Sequence, residues 1–268
     1  MIKYHRVAPG ARLRLRDRDA GSTPGWKGGK RKTAKAFEEL HQRLYALQNL
    51  LWAEHERKVL VVLQGPDTSG KDGTIAHVFQ GVNPLGVRVA AWKAPSPDEL
   101  EHDFLWRIHA RVPAAGELAI FNRSHYEDVL VARVKRLVPA RVWKARYAQI
   151  RDFERLLAET GTTVLKFFLH IDRAEQKQRL EERLADPDKR WKLSASDLED
   201  HQRWDAYVAA YEEAISNTST EAAPWFVVPA NKKWYRNLVV ATVLVETLEA
   251  MQLHFRKPEL DPRRVKIE

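Results

Sequence analysis

Five short apolar runs, at residues 59–63, 87–92, 117–121, 163–169 and 225–228, are separated by charged stretches. Four of the five are continuous or nearly so, the pattern of strands covered on both faces. The stretches between them predict helices near 72–80, 98–111, 127–137, 140–160, 173–185, 196–216 and 232–254. Ahead of the first run, Phe37, Leu40, Leu44, Leu47, Leu51 and Trp52 recur every three or four positions. They predict an amphipathic helix over 33–56 whose stripe is core. Strand alternating with helix requires parallel pairing through right-handed crossovers. The fold class is therefore α/β, a three-layer α/β/α sandwich about a central parallel five-stranded sheet. Ligands in such sheets bind beyond the carboxyl ends of the strands.

The domain organisation follows from composition. Residues 1–32 are basic and rich in Gly and Pro, and read as an arm draped over the body. Residues 33–256 read as one domain, with 257–268 as a C-terminal tail. The 268 residues contain no cysteine, which excludes disulfides, thiolate zinc sites and cysteine nucleophiles. There is no signal-peptide core and no apolar stretch long enough to span a bilayer, so a cytoplasmic protein without a membrane partner is expected. Lys and Arg number 45 against 36 Asp and Glu, an excess that favours polyanions.

Just after the first run the chain reads Gly65-Pro66-Asp67-Thr68-Ser69-Gly70-Lys71, a phosphate loop between a strand and a helix. Thr68, Ser69, Gly70, Lys71 and Asp72 are the candidate phosphate contacts, through inward N–H groups, the helix N-terminus and the lysine. The usual Ser or Thr after the lysine, a magnesium ligand, is replaced by Asp72. An acid inside the loop, Asp67, would repel phosphate unless a cation lay between them, so Asp67 reads as the metal ligand.

The other strand ends supply further candidates. Lys93 follows the second run, and Arg107 lies on the polar helix behind it; both are candidate phosphate contacts. The third run is followed by Asn122-Arg123-Ser124-His125-Tyr126-Glu127-Asp128. Arg123 stands where an arginine would meet the transferring group, and Glu127 and Asp128 where a second metal-binding acid belongs. A bland alternative stays open: Ser124-x-x-Glu127 also fits a helix capping box. After the fourth run, the dense basic segment about 172–195, with Arg179, Arg183, Lys189 and Arg190, occupies the place of a helical lid. Its alternative is a solvated face stabilised by ion pairs four residues apart.

The loop, the segment His102-Asp103-Phe104-Leu105-Trp106-Arg107, the stretch Asn122 to Asp128 and the late run Asn231-Lys232-Lys233-Trp234-Tyr235-Arg236-Asn237 together resemble the second family of polyphosphate kinases. The resemblance runs from about residue 30 to residue 255. It implies a thymidylate-kinase-like phosphate-loop kinase fold and reversible, magnesium- or manganese-dependent phosphoryl transfer between inorganic polyphosphate and nucleotides. By position it implies Asp67, Lys71, Arg123 and the basic lid as the polyphosphate-handling parts. Tyr126-Glu127-Asp128 resembles the subgroup that phosphorylates AMP and ADP and their guanine counterparts. Asn122 stands where some members carry aspartate. Catalysis is then assigned to Asp67, Lys71, Arg123 and Asp128. The nucleotide would lie near Phe79, Asn83, Lys93, Arg107, Asn122 and Glu127, although Phe79 also fits a core position. A homodimer or homotetramer is implied and no nucleic-acid partner is expected. Two rivals remain: an ATP-dependent nucleotide kinase, and a basic nucleic-acid-binding protein with a vestigial loop.

Overall fold

The computed structural model describes residues 2–258 and 260, so the tail expected over 257–268 lies almost wholly outside the described residues. Along the chain run α1 (Gly29–Glu54), β1 (Lys58–Gln64), α2 (Lys71–Val78), β2 (Val87–Ala91), α3 (Pro97–Leu100), α4 (Trp106–His109) and β3 (Leu118–Asn122). There follow α5 (Glu127–Val134), α6 (Ala140–Glu159), β4 (Thr162–His170), α7 (Arg173–Ala185), α8 (Ala195–Gln202), α9 (Trp204–Thr218), β5 (Trp225–Pro229) and α10 (Lys233–Ala250).

The strands form one sheet in the order β2-β3-β1-β4-β5, every neighbouring pair parallel. Both faces are covered over β3, β1, β4 and β5, leaving the edge strand β2 partly exposed, and β1 shows why its sequence is apolar throughout. Val59, Val61 and Leu63 enter one core with α1 and α10, while Leu60 and Val62 enter the other with α5, α6 and α9. Each such fully buried side chain contributes about 1.5–3 kcal/mol. Register then places the chemistry. Leu63 stands opposite Asn122 on one side and Phe167 on the other, so the loop after β1 and the turn after β3 emerge side by side.

The first residues cover the outer edge of the sheet. Arg6 makes an antiparallel bridge with Phe226 of β5. Val7 N–H donates to Trp225 O, and Leu13 and Leu15 are buried in the second core. An otherwise unpaired strand edge is thereby closed off.

Three expected helices differ from what forms. The stretch 98–111 is two single turns, because Asp103 Oδ1 accepts from Leu105 N–H at 2.9 Å and folds the chain between them. The stretch 196–216 breaks at Arg203 into α8 and α9, where His201 is tied to Gln176 at 2.7 Å. The first helix begins at Gly29, before the apolar stripe does. No helix among the described residues is long and apolar enough to cross a membrane.

Candidate active site at the carboxyl ends of β1 and β3

The loop that joins β1 to α2 needs its glycines. At Gly70 φ is +97°, and a Cβ would lie 1.9 Å from Arg236 Nη1. At Gly65 a Cβ would meet Ser69 Oγ at 2.7 Å and Leu169 O at 2.8 Å. Thr68 also takes a positive φ, 65°, without being glycine. Lys71 folds back over the loop and donates to Gly65 O at 2.7 Å and Pro66 O at 3.2 Å. Its burial lowers the amine's pKa. The hydroxyls of Thr68 and Ser69 are buried with no hydrogen-bond partner among the described residues. In a phosphate loop, such groups are free to bond a bound water, ion or phosphate.

Beside the loop, Arg123 leaves β3 with φ 65°, a strained backbone for a residue that carries a Cβ. Its N–H donates to Leu63 O at 3.0 Å, which fixes the turn against β1. The guanidinium reaches Asp67 at 2.7 Å and Glu127 at 3.9 Å. Burial pushes the Asp67 carboxyl up, but Lys71 and Arg123 outweigh it and hold it below the ordinary carboxylate range. Burial wins at Glu127, whose carboxyl is raised. Asp67, Arg123 and Glu127 line a narrow cavity of about 30 Å³, walled by Trp204, Tyr207 and Tyr211 of α9. The capping box is not formed: Ser124 Oγ accepts from Gln64 Nε2 and Tyr126 N–H, and α5 begins without a side-chain cap.

Several expected positions are corrected. Asp128 is not drawn into the Asp67–Arg123–Glu127 group: its carboxylate pairs with Arg146 at 3.3 Å. Asn122 donates to Asp72 Oδ1 at 2.8 Å and so holds the side chain that replaces the usual hydroxyl. Phe79 is buried in the core behind α2, closed to a stacking base. Asn83 caps the turn Pro84–Gly86 and donates to Asn49 Oδ1 at 3.1 Å, a structural role. Lys93 is exposed beyond β2, and Arg107 donates to its carbonyl at 3.0 Å while lying over the Trp92 ring.

The basic segment also divides. Arg179 is a clamp: it donates to Thr68 O, Ser69 O, Ala230 O and Asn231 O, and its Nε to Glu175. All five of its N–H groups are used from beneath the loop, so none is left for a phosphate chain. Arg183 pairs with Asp197 at 3.6 Å, Lys189 pairs with Asp186, and Arg190 donates to Leu184 O. The segment does close on the loop, since Lys192 reaches Asp72 at 3.5 Å. Sequence reasoning placed Lys192 only within the basic segment, not against Asp72, and missed Arg236 as a support of the loop. Arg236 is fully buried, donates to Ser69 O at 3.2 Å and to Asn237 Oδ1, and burial lowers its pKa to about 9. The contacts of a small Gly70 and a distant Arg236 carry no periodic signal; only the late run containing Arg236 pointed there.

The turn after β3 rests on a buried polar network. Lys166 of β4 donates to Glu154 at 2.5 Å, Tyr126 OH at 2.9 Å and Thr218 O at 2.8 Å. Glu154 in turn accepts from Tyr126 OH at 2.8 Å and lies 3.3 Å from His125 Nε2. Both charged groups are buried, so the geometry must compensate fully for lost hydration.

A glycine loop at a helix N-terminus, a lysine and an arginine converging on it, and a basic segment that reaches it through Lys192 define a phosphate-loop phosphotransferase. The chain belongs to the Polyphosphate kinase 2 family, whose model matches residues 27–256. It is 56% identical over 267 residues, all of both chains, to the AMP/ADP-polyphosphate phosphotransferase of Meiothermus ruber. It is 44% identical to the ADP-polyphosphate phosphotransferase of Rhodopseudomonas palustris, over 84% of this chain and 81% of that one. The crystal structure of Polyphosphate Kinase 2 from Arthrobacter aurescens superposes with a TM-score of 0.94, covering 97% of this chain and 93% of that one at 44% identity.

Proposed function

We propose that the protein moves phosphoryl groups from inorganic polyphosphate to AMP and ADP, with magnesium. The single observation that carries the reading is the Asp67–Arg123–Glu127 group set against the phosphate loop. The relative from Meiothermus ruber, named for both AMP and ADP, supports both acceptors.

The acceptor phosphate is itself the nucleophile. Its second pKa, about 6, leaves it largely ionised near neutrality, so no general base is needed. What opposes reaction is the approach of two polyanions. Lys71, released from Gly65 O, is placed to bind oxygens of the group in the loop, and Arg123 to bridge donor and acceptor. The Thr68 and Ser69 hydroxyls gain their missing partners at the same moment. No three acids or histidines converge into a metal cage among the described residues. The donor set fits a small divalent ion nonetheless, because such ions take one or two carboxylates and complete their shell with phosphate and water. Asp67 and Glu127 would hold it. When bound, the ion supplies neutralising charge to phosphate oxygens that those carboxylates would otherwise repel. Lys192 and Arg183 of the lid segment cover the donor, and Lys93 and Arg107 receive the acceptor beyond β2.

Incubation with polyphosphate and AMP or ADP, in the absence of ATP, is expected to yield ADP and ATP, and chelation of divalent ions to stop it. An ATP-dependent kinase would turn over AMP only with ATP, and that result would reject the reading.

A further inference from the structure

A cavity of about 680 Å³ opens between the N-terminal arm and the ends of β4 and β5, apart from the loop and the lid. Its floor includes His170 and Pro229, and its arm wall carries Arg6, Arg12, Arg14 and Arg18. Arg6 is engaged by Glu221 at 2.6 Å. Among the described residues, no carboxylate lies within ion-pair distance of Arg12, Arg14 or Arg18. The wall also carries two acids, Asp17, 3.7 Å from Arg16, and Asp19, which accepts from Gly21 N–H at 2.7 Å, and the four arginines outnumber them. Arg18 is only partly exposed, and its one side-chain hydrogen bond, to Tyr4 O, is long at 3.4 Å.

A guanidinium drawn out of water without an acid leaves donors that an anion would satisfy. Planar, forked donors suit the paired oxygens of phosphate. The volume lies within the range of about 300–1,000 Å³ of small-molecule sites and holds several linked phosphates. We propose that this cavity is a second anion site, which takes a segment of condensed phosphate independently of the phosphate loop.

The wall is also joined to the loop. Asn231 N–H donates to Ala20 O at 3.2 Å, Asn231 O accepts from Arg179, and Arg179 donates to Thr68 O at 2.9 Å. The arm itself is held by backbone and histidine contacts, such as His170 Nε2 to Arg18 O at 2.9 Å. Changes at Arg12 and Arg14 therefore spare its anchoring, and a change at Arg18 removes only the long contact to Tyr4 O.

The test is amide hydrogen exchange across residues 4–24, titrated with inorganic tripolyphosphate in the wild type and in Lys71→Ala, where the loop is disabled. Slowed exchange is expected in both proteins. Arg14→Gln with Arg18→Gln should raise the half-saturating concentration about tenfold or more, the loss of one or two charge-assisted contacts. Arg12→Gln, at an exposed position, repeats the test where folding is not in question. No slowing, slowing lost in Lys71→Ala, the same slowing with sulfate, or indifference to the arginine changes would overturn the proposal. Protection by ATP at lower concentration than tripolyphosphate would overturn the assignment to a free inorganic chain.

Discussion

Replacing Lys71 by alanine is expected to lower kcat/KM for polyphosphate-driven phosphorylation by about a hundred- to a thousandfold, the effect of losing one charged contact to a developing anion. The protein should stay folded. Lys71 contributes two hydrogen bonds to loop carbonyls, but the loop is held independently from below by Arg179 and Arg236. Asp67→Asn should cost a similar factor by a different route, since it weakens the group that orients Arg123. Steady-state kinetics beside thermal melting separate loss of chemistry from loss of fold. Near-native turnover in either folded variant would remove the loop assignment.

Lys166→Met is expected to destabilise the fold by about 3–5 kcal/mol, the usual cost of stranding one member of a buried ion pair. The stranded group is Glu154, which is 1% exposed. In the native protein, burial would raise its carboxyl, but Lys166 and then His125 outweigh this and hold it below its ordinary value. The contribution of Glu154 is thus present above pH 4.5, the unfolded value, and is lost as pH falls through the depressed folded value, while burial lowers the pKa of Lys166 itself. Without Lys166 the sign reverses, and protonation relieves the variant. Its deficit relative to wild type should shrink on acidification and largely vanish in Lys166→Met with Glu154→Leu. Urea melts at several pH values measure this; a deficit that does not change with pH would contradict it.

The sheet was legible because β1, β3, β4 and β5 are buried on both faces and so appear as apolar runs, while the edge strand β2, partly exposed, was read from its apolar segment. Lys166 interrupts one of those runs, and nothing local in the sequence says that Glu154, on the preceding helix, compensates it. The same limit applied at the site. Asp67, Lys71 and Arg123 could be read because short spacing and strand ends fix where they lie. Arg179 could not be told from a lid arginine, since its acceptors are carbonyls after β1 and β5, far away in sequence. Asp128 and Glu127 are adjacent, and only the direction of α5 decides that Glu127 meets Arg123 while Asp128 meets Arg146. The break at Asp103 depends on a side chain capturing a backbone N–H, which competes with helix without disturbing apolar spacing.

Electron paramagnetic resonance of manganese, titrated into the protein with tripolyphosphate present, tests most directly whether Asp67 and Glu127 screen phosphate through a shared divalent ion. Wild type should bind the ion tightly. Asp67→Asn or Glu127→Gln should weaken it by about tenfold or more, as loss of a charged ligand requires, while Asp128→Asn leaves it nearly unchanged. Unaltered binding in Asp67→Asn, or a larger loss in Asp128→Asn, would contradict the account.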